Sequence, residues 1–174
     1  LNLDVAFITG TRDWPDCERT PLWSERIFAA LPEHHHLAGR SELAWQNLIA
    51  EPFIVTEAAP GQEIHDHLIR EIADLGRHIA VQIQSVGRDN LLSLVSLGQG
   101  LTLTSEAMTV MQFPGIVYRP ITGEVLPFSA VWSPNNDNPA FRRFLSMAKV
   151  MAVRPASWTI EQSAEPSQIH DPLQ

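Results

Sequence analysis

Cysteine is nearly absent, because Cys17 stands alone. An internal disulfide is therefore excluded, and the single thiol suits a reducing compartment. Asp16 and Glu18 flank it, so its sequence neighbours offer no positive charge to favour a thiolate. Basic charge is scarce too. Twelve Lys and Arg stand against twenty Asp and Glu, a formal net charge of −8, which argues against this chain itself gripping nucleic-acid phosphates. No apolar run approaches the roughly 20 residues of a membrane helix. The opening residues Leu1-Asn2-Leu3-Asp4-Val5 lack the basic region of a signal peptide and an initiator Met, so the chain reads as a fragment. G-x-S-x-G, the P-loop, H-E-x-x-H and G-x-G-x-x-G are all missing, so no enzymatic activity and no cofactor are expected.

What is present is 44% hydrophobic residues in 174, enough for one packed domain or two small lobes. The stretch from Asp89 to Ser105 organises the rest. Leu91, Leu94 and Val95 recur at helical spacing. Gly98 stands where a helix end needs positive φ, and Gly100 permits a sharp turn. Leu101-Thr102-Leu103-Thr104 reads as a short strand, and Ser105 as the N-cap of a helix running to Met111. A strand that ends at a helix N-terminus offers free backbone N–H groups to a ligand. The same pattern also describes a plain packed crossover. Met108 and Met111 read as core.

Elsewhere, residues 3–10, 22–31, 52–56, 79–84, 116–120 and 125–132 read as strands. A turn at Ile121-Thr122-Gly123 separates the last two. Residues 41–48 form a helix capped by Ser41, and a second helix carries Ile64, Leu68, Ile72 and Leu75 up to Gly76. His65 and His67 fall among its polar, solvated positions. Asn138-Pro139 starts a last helix. His34-His35-His36 invites a metal reading, but consecutive residues converge poorly on one ion, so no metal site is expected. The element order favours an α/β fold with a largely parallel sheet in its middle. Residues 151–174 are expected to form a disordered tail.

Four stretches, taken in order, resemble the effector-binding domain of LysR-type transcriptional regulators. They are Leu3-Asp4-Val5-Ala6-Phe7-Ile8; Pro21-Leu22-Trp23-Ser24-Glu25 with Ala30-Leu31-Pro32-x-x-His35-x-Leu37-Ala38; Asn47-Leu48 with Glu51-Pro52-Phe53-Ile54; and Leu91-Leu92-x-Leu94-Val95-x-x-Gly98-x-Gly100 followed by Pro114-Gly115-x-Val117-Tyr118-Arg119-Pro120, Trp132 and Asn138-Pro139-Ala140-x-Arg142-Arg143-Phe144-Leu145. Together they span about residues 1–150. His36 departs from the pattern, since the family usually has proline after a histidine there.

The resemblance implies a two-lobed, periplasmic-binding-protein-like (type II) fold. Lobe I would comprise residues 1–25 and 125–150 and would be incomplete, and lobe II residues 26–124. The ligand would lie between the lobes, against Thr9 and Gly10 from one side and Thr56, Glu57, Ala58, Thr104 and Ser105 from the other. Hydroxyls and helix N-termini favour a small carboxylate or similar polar effector. Glu57 would repel a purely anionic one. Thr56, Thr104 and Ser105 could equally serve as caps. The implied role is a cytoplasmic small-molecule sensor that acts as a homo-oligomer. It would reach DNA only through a winged helix-turn-helix absent from this chain, with RNA polymerase as a further partner. An extracytoplasmic solute-binding protein or lobe of the same fold is the alternative.

Overall fold

The computed structural model describes residues 4–10, 14–58, 65–70 and 80–152. Two strands dominate it. β2 (Glu18–Pro32) and β6 (Ile116–Trp132) run antiparallel along their whole lengths, from Glu18 opposite Trp132 to Pro32 opposite Ile116. β1 (Ala6–Thr9) pairs antiparallel with one end of β6, and β5 (Thr102–Ser105) with the other half of β2. The sheet order is thus β1-β6-β2-β5. β3 (Phe53–Thr56) and β4 (Val81–Gln84) form a parallel pair, joined to the larger sheet by a parallel bridge from Phe53 to Leu101.

The expected largely parallel sheet is therefore corrected. Among the described residues, parallel neighbours are β3 with β4 and the isolated bridges Phe53–Leu101 and Leu43–Ile121, because β2 and β6 are single long strands that return past each other. The expected break at residues 121–123 is also absent as a strand end. It is a bulge, flanked by the pairs Arg26–Val125 and Phe28–Pro120. The extra residues are held from the side: Leu43 N–H donates to Pro120 O at 2.9 Å and Thr122 N–H donates to Leu43 O at 2.8 Å. Gly123, at φ +76°, makes the turn back without strain. A second shift between Pro21 and Trp23 explains how a proline sits inside β2.

Three helices were expected to be capped by side chains. Asn138 does so, its Oδ1 accepting Ala140 N–H at 3.0 Å at the start of α3 (Pro139–Ala152). Ser41 does not, because the helical turn α1 is only Trp45–Leu48 and Asn47 Oδ1 reaches back to Ala44 N–H. Ser105 does not either: it precedes a short 3-10 helix, Glu106–Val110, with no side-chain cap bond. α2 (Arg88–Ser96) ends as expected, with Gly98 at φ +76° donating to Val95 O. α3 runs through Met151 and Ala152, which were expected in the tail. Ile64, Ile72, Leu75, Gly76, Ile79 and the rest of that tail lie outside the described residues.

The main core sits under the second half of β2. Leu31, Leu43, Leu48, Phe53, Leu68 and Leu101 are essentially solvent-free there. A smaller cluster of Ile54, Leu91 and Val95 seats α2 on the opposite face. Around β1 the packing is aromatic and half open. Phe7 meets Trp23 and Phe144, and Trp23 stacks on Phe128 at 4.9 Å.

Candidate functional site

A cavity of about 920 Å³ opens where β3 and β5 end, beside the start of α2 and the 3-10 helix. β1 and the far part of β6 contribute Thr9, Leu126 and Phe128 to its wall. Of the expected binding residues, Thr9, Thr56, Ala58, Thr104 and Ser105 line it, while Gly10 and Glu57 do not. Gly10 turns the chain at φ +83° and donates its N–H to Pro127 O. The Glu57 carboxylate accepts from Ser85 Oγ, and its backbone N–H donates to Gln84 O. The expected repulsion of an anion by Glu57 is thereby reduced. Thr56 is buried and committed, since its Oγ1 donates to Val86 O and accepts Ala58 N–H at 3.1 Å. Its hydroxyl thus holds the turn that follows β3. Thr104 and Ser105 remain half-buried at the cavity.

The start of α2 is the part that sequence reasoning missed. Gly87, Arg88, Asp89 and Asn90 all line the cavity. Gly87 caps α2 without a side chain, and Leu91 N–H is the first to return to a helical carbonyl, Gly87 O. Helix geometry leaves the earlier N–H groups pointing outward. The Gly-Arg-Asp start after a strand carried this signal. Met108 and Met111 carried none. They are not core: both line the cavity, and Met111 is half exposed. Arg88 Nη1 donates to Met108 Sδ at 3.2 Å. Tyr118 completes this wall, its hydroxyl donating to Met111 O at 3.4 Å. Burial raises the Tyr118 phenol pKa, and the positive charge of Arg88 opposes that rise.

His67 is also corrected. It is not a solvated helix residue but lies 5.9 Å from the Trp45 ring, with Nε2 3.7 Å from a Glu124 carboxylate oxygen, and lines the cavity. The histidine triplet behaves differently from both readings. His35 and His36 do converge, each bringing Nε2 to 3.3 Å from an oxygen of Glu51. Leu37 N–H donates to His35 Nδ1 at 3.3 Å, which leaves Nε2 of both rings facing the Glu51 carboxylate. His35, His36 and Glu51 thus bring three ligand-capable atoms within 4.8 Å of one another, against the expectation that consecutive histidines converge poorly.

Residues 2–152 match the family model for the LysR substrate binding domain. The chain belongs to this family. Among curated relatives, the HTH-type transcriptional regulator BudR of Raoultella terrigena is 29% identical over 157 residues, covering 83% of this chain and 51% of that protein. The HTH-type transcriptional regulator XapR of Escherichia coli (strain K12) is 29% identical over 100 residues, covering 58% of this chain and 33% of that protein. The chain thus spans about half the length, or less, of these relatives. Its fold is that of the LysR effector-binding domains, the periplasmic-binding-protein-like type II fold. Full-length BenM, as its E226K mutant, superposes with a TM-score of 0.74 at 19% identity, covering 86% of this chain and 50% of that one. The BenM effector binding domain with its effector benzoate gives 0.68 at 19%, covering 90% and 74%. The relatives are transcriptional regulators, so the solute-binding alternative is not favoured. Among the described residues, no helix is long and apolar enough to cross a membrane.

Proposed function

We propose that this chain is the ligand-sensing part of a LysR-type regulator and that the cavity is its effector site. The observation that carries this is the wall composition. Thr9 and Phe128 come from the β1–β6 end, whereas Thr56, Thr104 and the start of α2 come from the other end of the long ladder. A ligand touching both can bias their relative placement, which is what an allosteric sensor requires. The lobe division proposed is residues 1–25 with 125–150 against 26–124. The bulge between the pairs Arg26–Val125 and Phe28–Pro120 supports it, because regular pairing is interrupted there.

In this reading the chain is not an enzyme and works in the cytoplasm as a homo-oligomer. It controls DNA through a winged helix-turn-helix outside these residues, with RNA polymerase as a downstream partner. A thermal-shift screen of small carboxylates and aromatic acids tests it. A ligand that raises the melting temperature of the chain, and loses that effect in Thr104→Val, is the expected result. A broad metabolite screen without any hit would remove the sensing role.

A further inference from the structure

Arg88 brings the one guanidinium that the described residues place on the cavity wall, and its contacts are poor matches for it. Nη1 meets a thioether, Met108 Sδ, at 3.2 Å, and thioether sulfur is a weak acceptor. Among the described residues, the carboxylate paired with it is that of Asp89, 4.0 Å from Arg88 Nε and 82% exposed, so water screens it. The outward N–H groups of the first α2 turn lie beside this guanidinium. Thr102 adds an independent sign of an absent acceptor. It lines the same cavity at 3% exposure, and its Oγ1 has no hydrogen-bond partner among the described residues. A buried hydroxyl left unpaired costs stability, and an oxygen-bearing ligand would relieve it. Part of the wall is of the opposite character, although Asp89 and Gln112 also line it. Met108, Met111, Phe113 and Phe128 give it flexible sulfur and flat aromatic faces.

We propose that Arg88 is the specificity-determining residue of this cavity and selects an anion with an apolar body, an aromatic or bulky aliphatic acid. The carboxylate sits against the Arg88 guanidinium and the start of α2. The body lies against Met108, Met111 and Phe113. Arg rather than Lys matters here, because a planar fork grips both oxygens of a carboxylate. This rests on the reading of the cavity as an effector site and adds the ligand class to it.

Calorimetric titration of the chain with benzoate and cinnamate, beside benzamide and cinnamamide, tests the inference. The acids are expected to bind at least about tenfold more tightly than the amides. Arg88→Ala should remove that preference, and Arg88→Lys should restore it in part. Each variant is checked for an unchanged melting temperature without ligand. Equal binding of acids and amides, unchanged acid affinity in Arg88→Ala, or no binding of either acid would overturn the inference. Amide binding that Thr104→Val weakens would overturn it while leaving the effector site itself standing.

Discussion

Arg26 and Glu106 are joined across the fold: Arg26 Nη2 lies 2.5 Å and Nε 3.1 Å from the same carboxylate oxygen. The neighbouring Glu25 accepts Ala107 N–H at 3.1 Å. Two consecutive residues at the β2 irregularity therefore grip the 3-10 helix that follows Thr104 and Ser105. The hydrogen bond from Arg26 lowers the Glu106 pKa, and Arg26 is raised in return. Both side chains are about half exposed, so the pair contributes only about 0–1 kcal/mol. Because the Glu106 pKa is depressed, this contribution is complete above its unfolded value, about 4.3, and is lost as the pH falls through the folded one. Glu106→Gln should lower the melting temperature slightly at pH 7 and not at all near pH 2. An equal loss at both pH values would assign the effect to packing.

Thr104→Val and Ser105→Ala should weaken effector binding by about 1–3 kcal/mol each with the fold intact. Thr56→Val is the contrast. Its hydroxyl is spent on Val86 O and Ala58 N–H, so that change should appear in the melting temperature. Unchanged calorimetric affinity in both of the first two variants would remove Thr104 and Ser105 from the site.

Gly100 leaves little room for a side chain. An added Cβ would lie 3.0 Å from Ile54 Cγ2 and 3.1 Å from Pro52 O, at the junction that joins β3 to Leu101. Gly100→Ala should destabilise the chain by about 1–3 kcal/mol. Chemical denaturation reads this directly, and a neutral result would mean that the junction can open to admit a methyl group.

Residues 1–174 alone should not retard duplex DNA at physiological salt, given the net charge of −8. A sequence-specific shift by this chain in a gel would contradict that expectation.

Self-association is expected to use α3. Phe144, Met147 and Met151 are 45–69% exposed along it, beside Arg142, Arg143 and Lys149. The proposed partner surface is the acidic helix around residues 65–70, of which Asp66 is described, while Glu63, Glu71 and Asp74 lie outside the described residues. Opposite charge would set the orientation, and the apolar residues would supply most of the stabilisation. Arg142→Glu with Arg143→Glu should shift light scattering toward monomer. A dimer indifferent to the reversal would exclude this pairing.

Local signals were legible in the sequence because they depend on a few residues each. Gly98 ends α2 and Asn138 starts α3 for reasons visible within five positions. The resemblance supplied the fold, and with it five residues that line the cavity. The sheet's direction was not legible, since pairing of Glu18 with Trp132 leaves no local trace. Nor was the wall formed by Arg88, Met108 and Tyr118. A methionine at helical spacing looks the same whether it faces a core or a cavity, and only the turn into the 3-10 helix decides which. His67 looked solvated because its cover, Trp45, comes from a distant helical turn.

The long β2–β6 ladder also sets an expectation for the order in which the chain assembles. Its partners lie roughly a hundred residues apart, so zipping it early would close a large, disordered loop at high entropic cost. The intervening segment holds β3, β4 and α2, whose contacts with one another are closer in sequence. Once these have condensed on β2, the remaining loop is effectively short. β6 is then expected to add as a closing seam, with β1 docking last on its outer edge. A destabilising change in β6 should therefore speed unfolding more than it slows folding, whereas one in β3 or α2 should do the reverse.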